Sequence, residues 1–207
     1  MNFMSNLARA LAPVALVATV ATEAPAATSG ELKAVEASLG ATQSMTADFV
    51  QTDGKGRHLA GTLSLKRPGK IRFAYGGGVN ALLVADGKTL HYLDYDVAQH
   101  SKWAIGSSPL TVLLAPNPDL ERIARIVPSN NAQVVVVRAR DARRPEFGTL
   151  VLAFVRSGGA PGGLRLEGWT AIDAQNKKTT VRLSNQRYNV AVPDSAFSFT
   201  EPKRKKA

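Results

Sequence analysis

Two polar and apolar alternations joined by a turn indicate the fold class: His58-Leu-Ala-Gly-Thr-Leu-Ser-Leu-Lys66, Arg67-Pro-Gly-Lys70 and Ile71-Arg-Phe-Ala-Tyr75. A period of two is typical of half-buried β-strands, whose side chains point alternately to opposite faces. Pro68 and Gly69 occupy the central positions of a type II turn. The stretch therefore predicts an antiparallel hairpin.

Further strand signals continue along the chain, and Asp86-Gly87 marks a second hairpin turn. These strands are predicted at 81–84, 89–95, 133–140, 148–156, 164–173 and 179–186. Residues 134–137 and 150–155 are apolar on both faces. In one interpretation, one face of these strands belongs to the core and the other is a cavity wall or a surface that a helix covers. A β-sandwich in which both faces are buried fits equally well.

Two helices accompany the strands. Apolar residues at Leu32, Val35 and Leu39 predict an amphipathic helix over 31–45. Ser108-Pro109 begins a short apolar helix that runs through Leu114. A flat open sheet of about ten strands would leave a large face and its edges exposed. We therefore predict a mainly β fold with a strongly curved antiparallel sheet or incomplete β-barrel, whose concave side the helices fill.

Composition limits the chemistry. The 207 residues include 26 Lys and Arg, 16 Asp and Glu and no cysteine, for a formal charge of +10. Disulfides, thiolate zinc sites, Fe–S clusters and a lipid-modified N-terminal cysteine are therefore excluded. The length favours one domain. The basic residues are dispersed apart from Lys203–Lys206, so nucleic acid is not the predicted partner; anionic lipid or an acidic protein suits this charge better.

The N-terminus has the order of a secretory signal peptide: Arg9, an apolar run over 10–21, and Ala24-Pro25-Ala26. The run is shorter than the roughly 20 residues that span a bilayer. We expect cleavage near residues 21–28, which removes a signal peptide at 1–27, and a periplasmic location. A domain over 28–200 and a basic tail at 201–207 would remain. The alternative is an N-terminal anchor or a buried helix.

Catalytic and metal-binding motifs are not found. A phosphate loop at Gly87-Lys88-Thr89 fails because Leu82 stands where glycine is required. A metal site is conceivable from His91, Asp94, Asp96 and His100. On a strand, however, the side chain of residue 91 points to the opposite face from those of 94 and 96. Surface polar residues around a turn are the favoured interpretation. We predict no enzyme and no cofactor.

Two blocks together carry a family resemblance: Leu63-Ser-Leu-Lys-Arg67-Pro-Gly-Lys-Ile71-Arg-Phe73 and Leu83-Val-Ala-Asp-Gly-Lys-Thr-Leu-His-Tyr92. They resemble the outer-membrane lipoprotein carrier family, LolA. His91 stands where the family usually has Trp. Residues 46–51, the Ser-Pro-Leu helix and the closing Phe197-x-Phe199 are also similar.

The resemblance implies a half-open β-barrel with an α-helical lid over an apolar cavity for lipoprotein acyl chains. It implies a monomeric carrier that receives acylated lipoproteins from an inner-membrane ABC-type releasing complex and passes them to an outer-membrane acceptor. Arg67 aligns with the arginine that hydrogen-bonds lid carbonyls and holds the lid shut, the role we call the latch. The expected cavity and lid residues are Leu63, Leu65, Ile71, Phe73, Leu110, Val112, Leu113 and Leu114.

Two other functions stay open from the residues alone. A periplasmic lipid- or lipoprotein-sensing regulatory domain of similar fold is the first, although such a protein would be expected to carry a second, C-terminal domain. An envelope enzyme with unrecognised catalytic residues is the second, and turnover of a lipid ester would identify it.

Overall fold

Eleven antiparallel strands form one sheet in this computed structural model, which describes residues 25–203. The order across the sheet is β6-β5-β4-β3-β2-β1-β11-β10-β9-β8-β7. The strands are β1 Ser44–Thr52, β2 His58–Lys66, β3 Lys70–Tyr75, β4 Ala81–Asp86, β5 Thr89–Asp94, β6 Gln99–Ala104, β7 Ala124–Val127, β8 Val134–Ala139, β9 Thr149–Arg156, β10 Leu164–Ile172 and β11 Lys178–Tyr188. The helices are α1 Pro25–Ala41, α2 Thr111–Leu114 and α3 Leu120–Ile123.

The sheet is open and curved. β6 and β7 are its two edges and do not pair with each other. The rings of Phe73 on β3 and Trp169 on β10 lie 6.0 Å apart, centroid to centroid. Four strand steps separate β3 from β10, which is roughly 19 Å in a flat sheet at about 4.8 Å per step. The sheet must curl to bring these rings together, so the predicted incomplete barrel is confirmed.

The helices lie on the concave side, as predicted. Leu32, Val35 and Leu39 of α1 are buried there together with the apolar residues of α2 and Leu120 of α3. The Glu36 carboxylate accepts a hydrogen bond of 2.6 Å from the backbone N–H of Leu120, which ties α1 to α3. No helix within residues 25–203 has the length and apolar character to cross a bilayer.

The prediction that the first helix extends to Met45 was wrong. α1 ends at Ala41, and Met45 already belongs to β1. The Asn189 side chain donates to the Ala41 carbonyl at 3.0 Å and accepts from the Gln43 N–H at 2.8 Å. A distant residue thus satisfies backbone groups that a helix end leaves open. Gly40 lies in the last turn of the helix.

The doubly apolar strands have one buried face. Val135, Val137, Leu150, Leu152 and Phe154 point into the concave core. The alternating residues of the same strands are half-buried on the outer face. Because both strands belong to the single sheet, the sandwich alternative is wrong.

A segment after β11 covers the outer face of β3 to β5. We call residues 189–201 the C-terminal strap. It includes a turn of 3₁₀ helix at Asp194–Phe197. Val192 and Phe197 are buried against Leu82, Val84 and Leu93 in a second apolar cluster. The sheet therefore carries apolar cover on both sides at this end.

Three strands lie outside the predicted ranges: β1, β6 and β7. β6 was missed because Gln-His-Ser-Lys-Trp-Ala is mostly polar and exposed, and β7 because it has only four residues. The loop over 158–163 joins β9 to β10 and packs on α1. Gly162 has φ of 63°, and a Cβ there would lie 2.6 Å from the Ser38 Cα. Residues 1–24 of the predicted signal peptide and 204–207 of the basic tail lie outside the described residues.

Candidate functional site

The turn between β2 and β3 holds the end of α2. The Arg67 side chain donates two hydrogen bonds to the Leu113 carbonyl, from Nε at 2.9 Å and from Nη2 at 2.7 Å. The Gly69 N–H donates to the Leu114 carbonyl at 3.0 Å. Gly69 has φ of 75°, the positive value that the predicted turn requires of its second central residue, and a Cβ there would lie 2.8 Å from Gly87. Three donors from one turn therefore satisfy the last carbonyls of α2.

Arg67 is a buried cation. Only 7% of the residue is exposed, and burial lowers its pKa to about 10. It still carries its charge at neutral pH. Its Nη1 has no hydrogen-bond partner among residues 25–203. A buried donor without a partner costs about 1–3 kcal/mol, and more when it is charged. The closed arrangement thus combines two strong hydrogen bonds with one unsatisfied donor.

A cavity of about 340 Å³ lies between the concave face and the segment that leads into α2. We call residues 105–114 the lid. The apolar wall comes from both halves of the sheet and from the lid: Phe73, Leu83, Leu90, Leu110, Trp169, Ala171 and Val181. Trp103, half exposed, and Lys177 lie at the rim. The volume is at the lower end of the range for pockets that take one small molecule.

The structure brings some of the expected residues to this cavity. Phe73 and Leu110 line it. The other residues are buried in the same concave core, behind or beside the cavity: Leu63, Leu65, Ile71, Val112, Leu113 and Leu114. Sequence reasoning missed Leu83, Leu90, Trp169 and Val181. The alternation of side chains along the paired strands β3, β4 and β5 would have placed Leu83 and Leu90 on the same face as Phe73. No local signal, however, places β10 and β11 opposite β3.

The interpretation of His91 as a surface residue was wrong. His91 is 9% exposed, and its Nδ1 lies 3.0 Å from Nε2 of His100. The predicted turn is present, because the Asp94 carboxylate accepts from the N–H groups of Asp96 and Val97. Within residues 25–203, no group of three or more potential ligands is placed to hold a metal ion.

Comparison with known proteins agrees with this architecture. The model of the family described as "Outer membrane lipoprotein carrier protein LolA" matches residues 40–200. An outer-membrane lipoprotein carrier protein of Chromobacterium violaceum is 31% identical over 97% of this chain and 96% of its own length. One from Bordetella pertussis is 31% identical over 98% of this chain and 96% of its own.

A solved structure shares the fold at low sequence identity. A DUF1329 family protein from Desulfovibrio piger superposes with a TM-score of 0.54 at 9% identity, covering 84% of this chain and 98% of its own. The family match spans most of the sheet, the lid and the strap. This chain is therefore a member of the LolA family of outer-membrane lipoprotein carriers.

Proposed function

We propose that this carrier binds the acyl chains of lipoproteins between its concave sheet and its lid, and moves them across the periplasm. The observation that carries the proposal is the apolar cavity beneath a lid that Arg67 holds at one carbonyl. In its closed form the cavity is too small for the three chains of a triacylated lipoprotein. Binding therefore requires the lid to move away from the sheet.

Burial of apolar side chains dominates the energy of lid closure. Leu110, Val112, Leu113 and Leu114 are each at most 8% exposed. At about 1.5–3 kcal/mol each, their burial contributes about 6–12 kcal/mol. An acyl chain that buries about twelve methylenes gains about 10 kcal/mol, at 0.8 kcal/mol each. A single acyl chain thus gains about as much as the lid gives up, and three chains would gain about three times as much.

The latch adds to the free energy that opening the lid costs. The hydrogen bonds of Arg67 to Leu113 are charge-assisted and worth about 1.5–3 kcal/mol. That is small beside the apolar terms, but it always favours the closed lid. We infer that Arg67 favours the closed, empty form and so promotes cargo release.

The partners follow from the role of a carrier. We infer that the chain is exported, receives acylated lipoproteins from an inner-membrane ABC-type releasing complex, and delivers them to an outer-membrane acceptor. No catalytic step is required of the chain, because acyl chains are transferred without covalent change. A monomer is sufficient, since one chain supplies the sheet, the lid and Arg67.

Capture of cargo from cells tests the proposal. The full chain is expressed in a Gram-negative host, recovered from the periplasmic fraction and extracted with organic solvent, and triacylated peptides are sought by mass spectrometry. We expect such peptides with the unaltered chain. Their absence from folded periplasmic protein would count against acyl-chain binding.

Two tryptophan substitutions in the same hairpin provide a matched comparison. Ala171 lines the cavity, so Ala171→Trp fills part of it. Ala174 lies three residues further on and is exposed, so Ala174→Trp adds the same side chain outside the cavity. We expect cargo to be lost from the first variant and kept by the second.

A further inference from the structure

Two histidines on the outer face join the sheet to the end of the C-terminal strap. His91 lies on β5 and His100 on β6, and the strand register makes them diagonal neighbours. The ring of Phe199 packs against both, with centroids 4.7 Å from His91 and 5.7 Å from His100. The Tyr95 hydroxyl donates to the Thr200 carbonyl at 3.0 Å. The strap therefore ends on this pair.

A chain of four titratable groups runs through the pair. His91 Nε2 lies 3.2 Å from an Asp86 carboxylate oxygen, and His91 Nδ1 lies 3.0 Å from His100 Nε2. His100 Nδ1 lies 2.8 Å from a Glu201 carboxylate oxygen. All four ring nitrogens are thus engaged, with a carboxylate at each end.

Counting protons determines the charge that this chain requires. An ionised carboxylate only accepts hydrogen bonds, so His91 Nε2 and His100 Nδ1 must both carry protons. The bond between the rings needs a third proton, shared between His91 Nδ1 and His100 Nε2. Two neutral imidazoles carry only two N–H protons. The three contacts are therefore satisfied together only when the pair carries one positive charge.

Two acidic and two basic side chains face the pair. Among the residues that face the pair, Asp86 and Glu201 are acidic. Lys102, opposite His91 on β6, and Arg72, whose Nη1 donates to the Ser198 carbonyl, are basic. Burial raises the pKa of Asp86, but the N–H groups of Thr89 and Lys88 and the His91 ring lower it more, so its net pKa falls. Asp86 thus remains an acceptor.

We propose that His91 and His100 form a proton-sharing pair that docks the end of the strap only in its singly protonated state. A second added proton puts N–H against N–H at the 3.0 Å contact and breaks it. Removal of the extra proton leaves one of the three contacts without a donor. Both changes loosen Phe199 and Glu201 from the outer face of β5 and β6. The strap end is therefore a device that responds to pH in both directions.

NMR titration of the full chain tests the pair. Histidine ¹⁵N shifts report which ring nitrogens carry protons, and the exchange protection factor of the Ser198 amide, which donates to the Ser195 carbonyl at 3.1 Å, reports the order of the strap end. We expect the pair to take up protons in two coupled steps and protection to be highest between them. Protection should fall about tenfold on either side, which is the value of about one hydrogen bond. His58, which contacts Thr52 on another part of the sheet, serves as the control site.

Three variants distinguish the pair from a general effect of pH. His100→Gln should convert His91 to a single step and abolish the maximum in protection. Glu201→Gln should move proton uptake by the pair to lower pH, because it removes an anion that stabilises the charged form. His58→Gln should leave both profiles unchanged. Independent titration of His91 and His100, or protection that is constant across both steps, would overturn the proposal.

Discussion

Replacing Arg67 with leucine should slow cargo release while leaving the fold intact. The change removes both hydrogen bonds to the Leu113 carbonyl. A loss of about 1–3 kcal/mol is smaller than the roughly 5–15 kcal/mol stability of a typical domain, so the fold should be retained. The closed lid loses about 1–3 kcal/mol relative to the open lid. Because cargo occupies the open form, its apparent affinity should rise by the corresponding factor of about 5–150.

Distance measurements and transfer assays separate the two parts of this prediction. The chain has no cysteine, so Ser107→Cys on the lid and Gln175→Cys on the β10–β11 hairpin accept spin labels without background. In the Arg67→Leu protein we expect a new population at longer distance. In a reconstituted assay we expect loading to proceed and transfer to the acceptor to slow by the same factor of about 5–150.

Arg72→Leu is the matched control, because Arg72 lies on β3 and contacts the strap rather than the lid. It should leave both the lid distance and the transfer rate unchanged. If Arg67→Leu gives the distance distribution and transfer rate of the unaltered chain, Arg67 does not act as a latch.

Two further predictions concern packing and acid stability. Gly162→Ala forces a Cβ into the α1 backbone at a φ of 63°, so urea unfolding should show a loss of about 1–3 kcal/mol. A Cβ at Gly158 would have no atom within 4 Å, so Gly158→Ala should change the stability little. Equal losses of stability in the two variants would contradict the packing argument. Hydrogen bonds from Lys66 and Lys70 lower the pKa of Asp194 to about 2. The ionised Asp194 carboxylate therefore stabilises the strap above its unfolded pKa of 3.8, and this stability is lost as the pH falls towards 2. Amide exchange of the strap should show this loss, and Asp194→Asn should remove it; an unchanged acid profile in that variant would contradict it.

Half-buried strands were predictable because their alternation is a local property. The hairpin of β2 and β3 and the turn at Asp86-Gly87 were placed within a residue or two of their observed limits. β6 was not, because an exposed edge strand has no apolar face to reveal it. The end of α1 was also missed, since Asn189, nearly 150 positions away in the chain, completes it.

The site required information that local patterns do not contain. Residues 63–73 predict a hairpin, but nothing in that stretch states that Arg67 reaches Leu113; the family resemblance supplied the expectation. Trp169 meets Phe73 only because the sheet curls through four strand steps. The pairing of His91 with His100 depends on the register of a strand that was not predicted.

Quenching of one tryptophan tests most directly whether acyl chains enter the cavity. The chain has two tryptophans, and Trp103→Phe leaves Trp169 in the cavity wall as the only one. A triacylated peptide with bromine on its acyl chains should quench Trp169 fluorescence at one peptide per protein, and the unbrominated peptide should not. Stoichiometric binding of the brominated peptide without quenching would place the acyl chains elsewhere and contradict the proposed function.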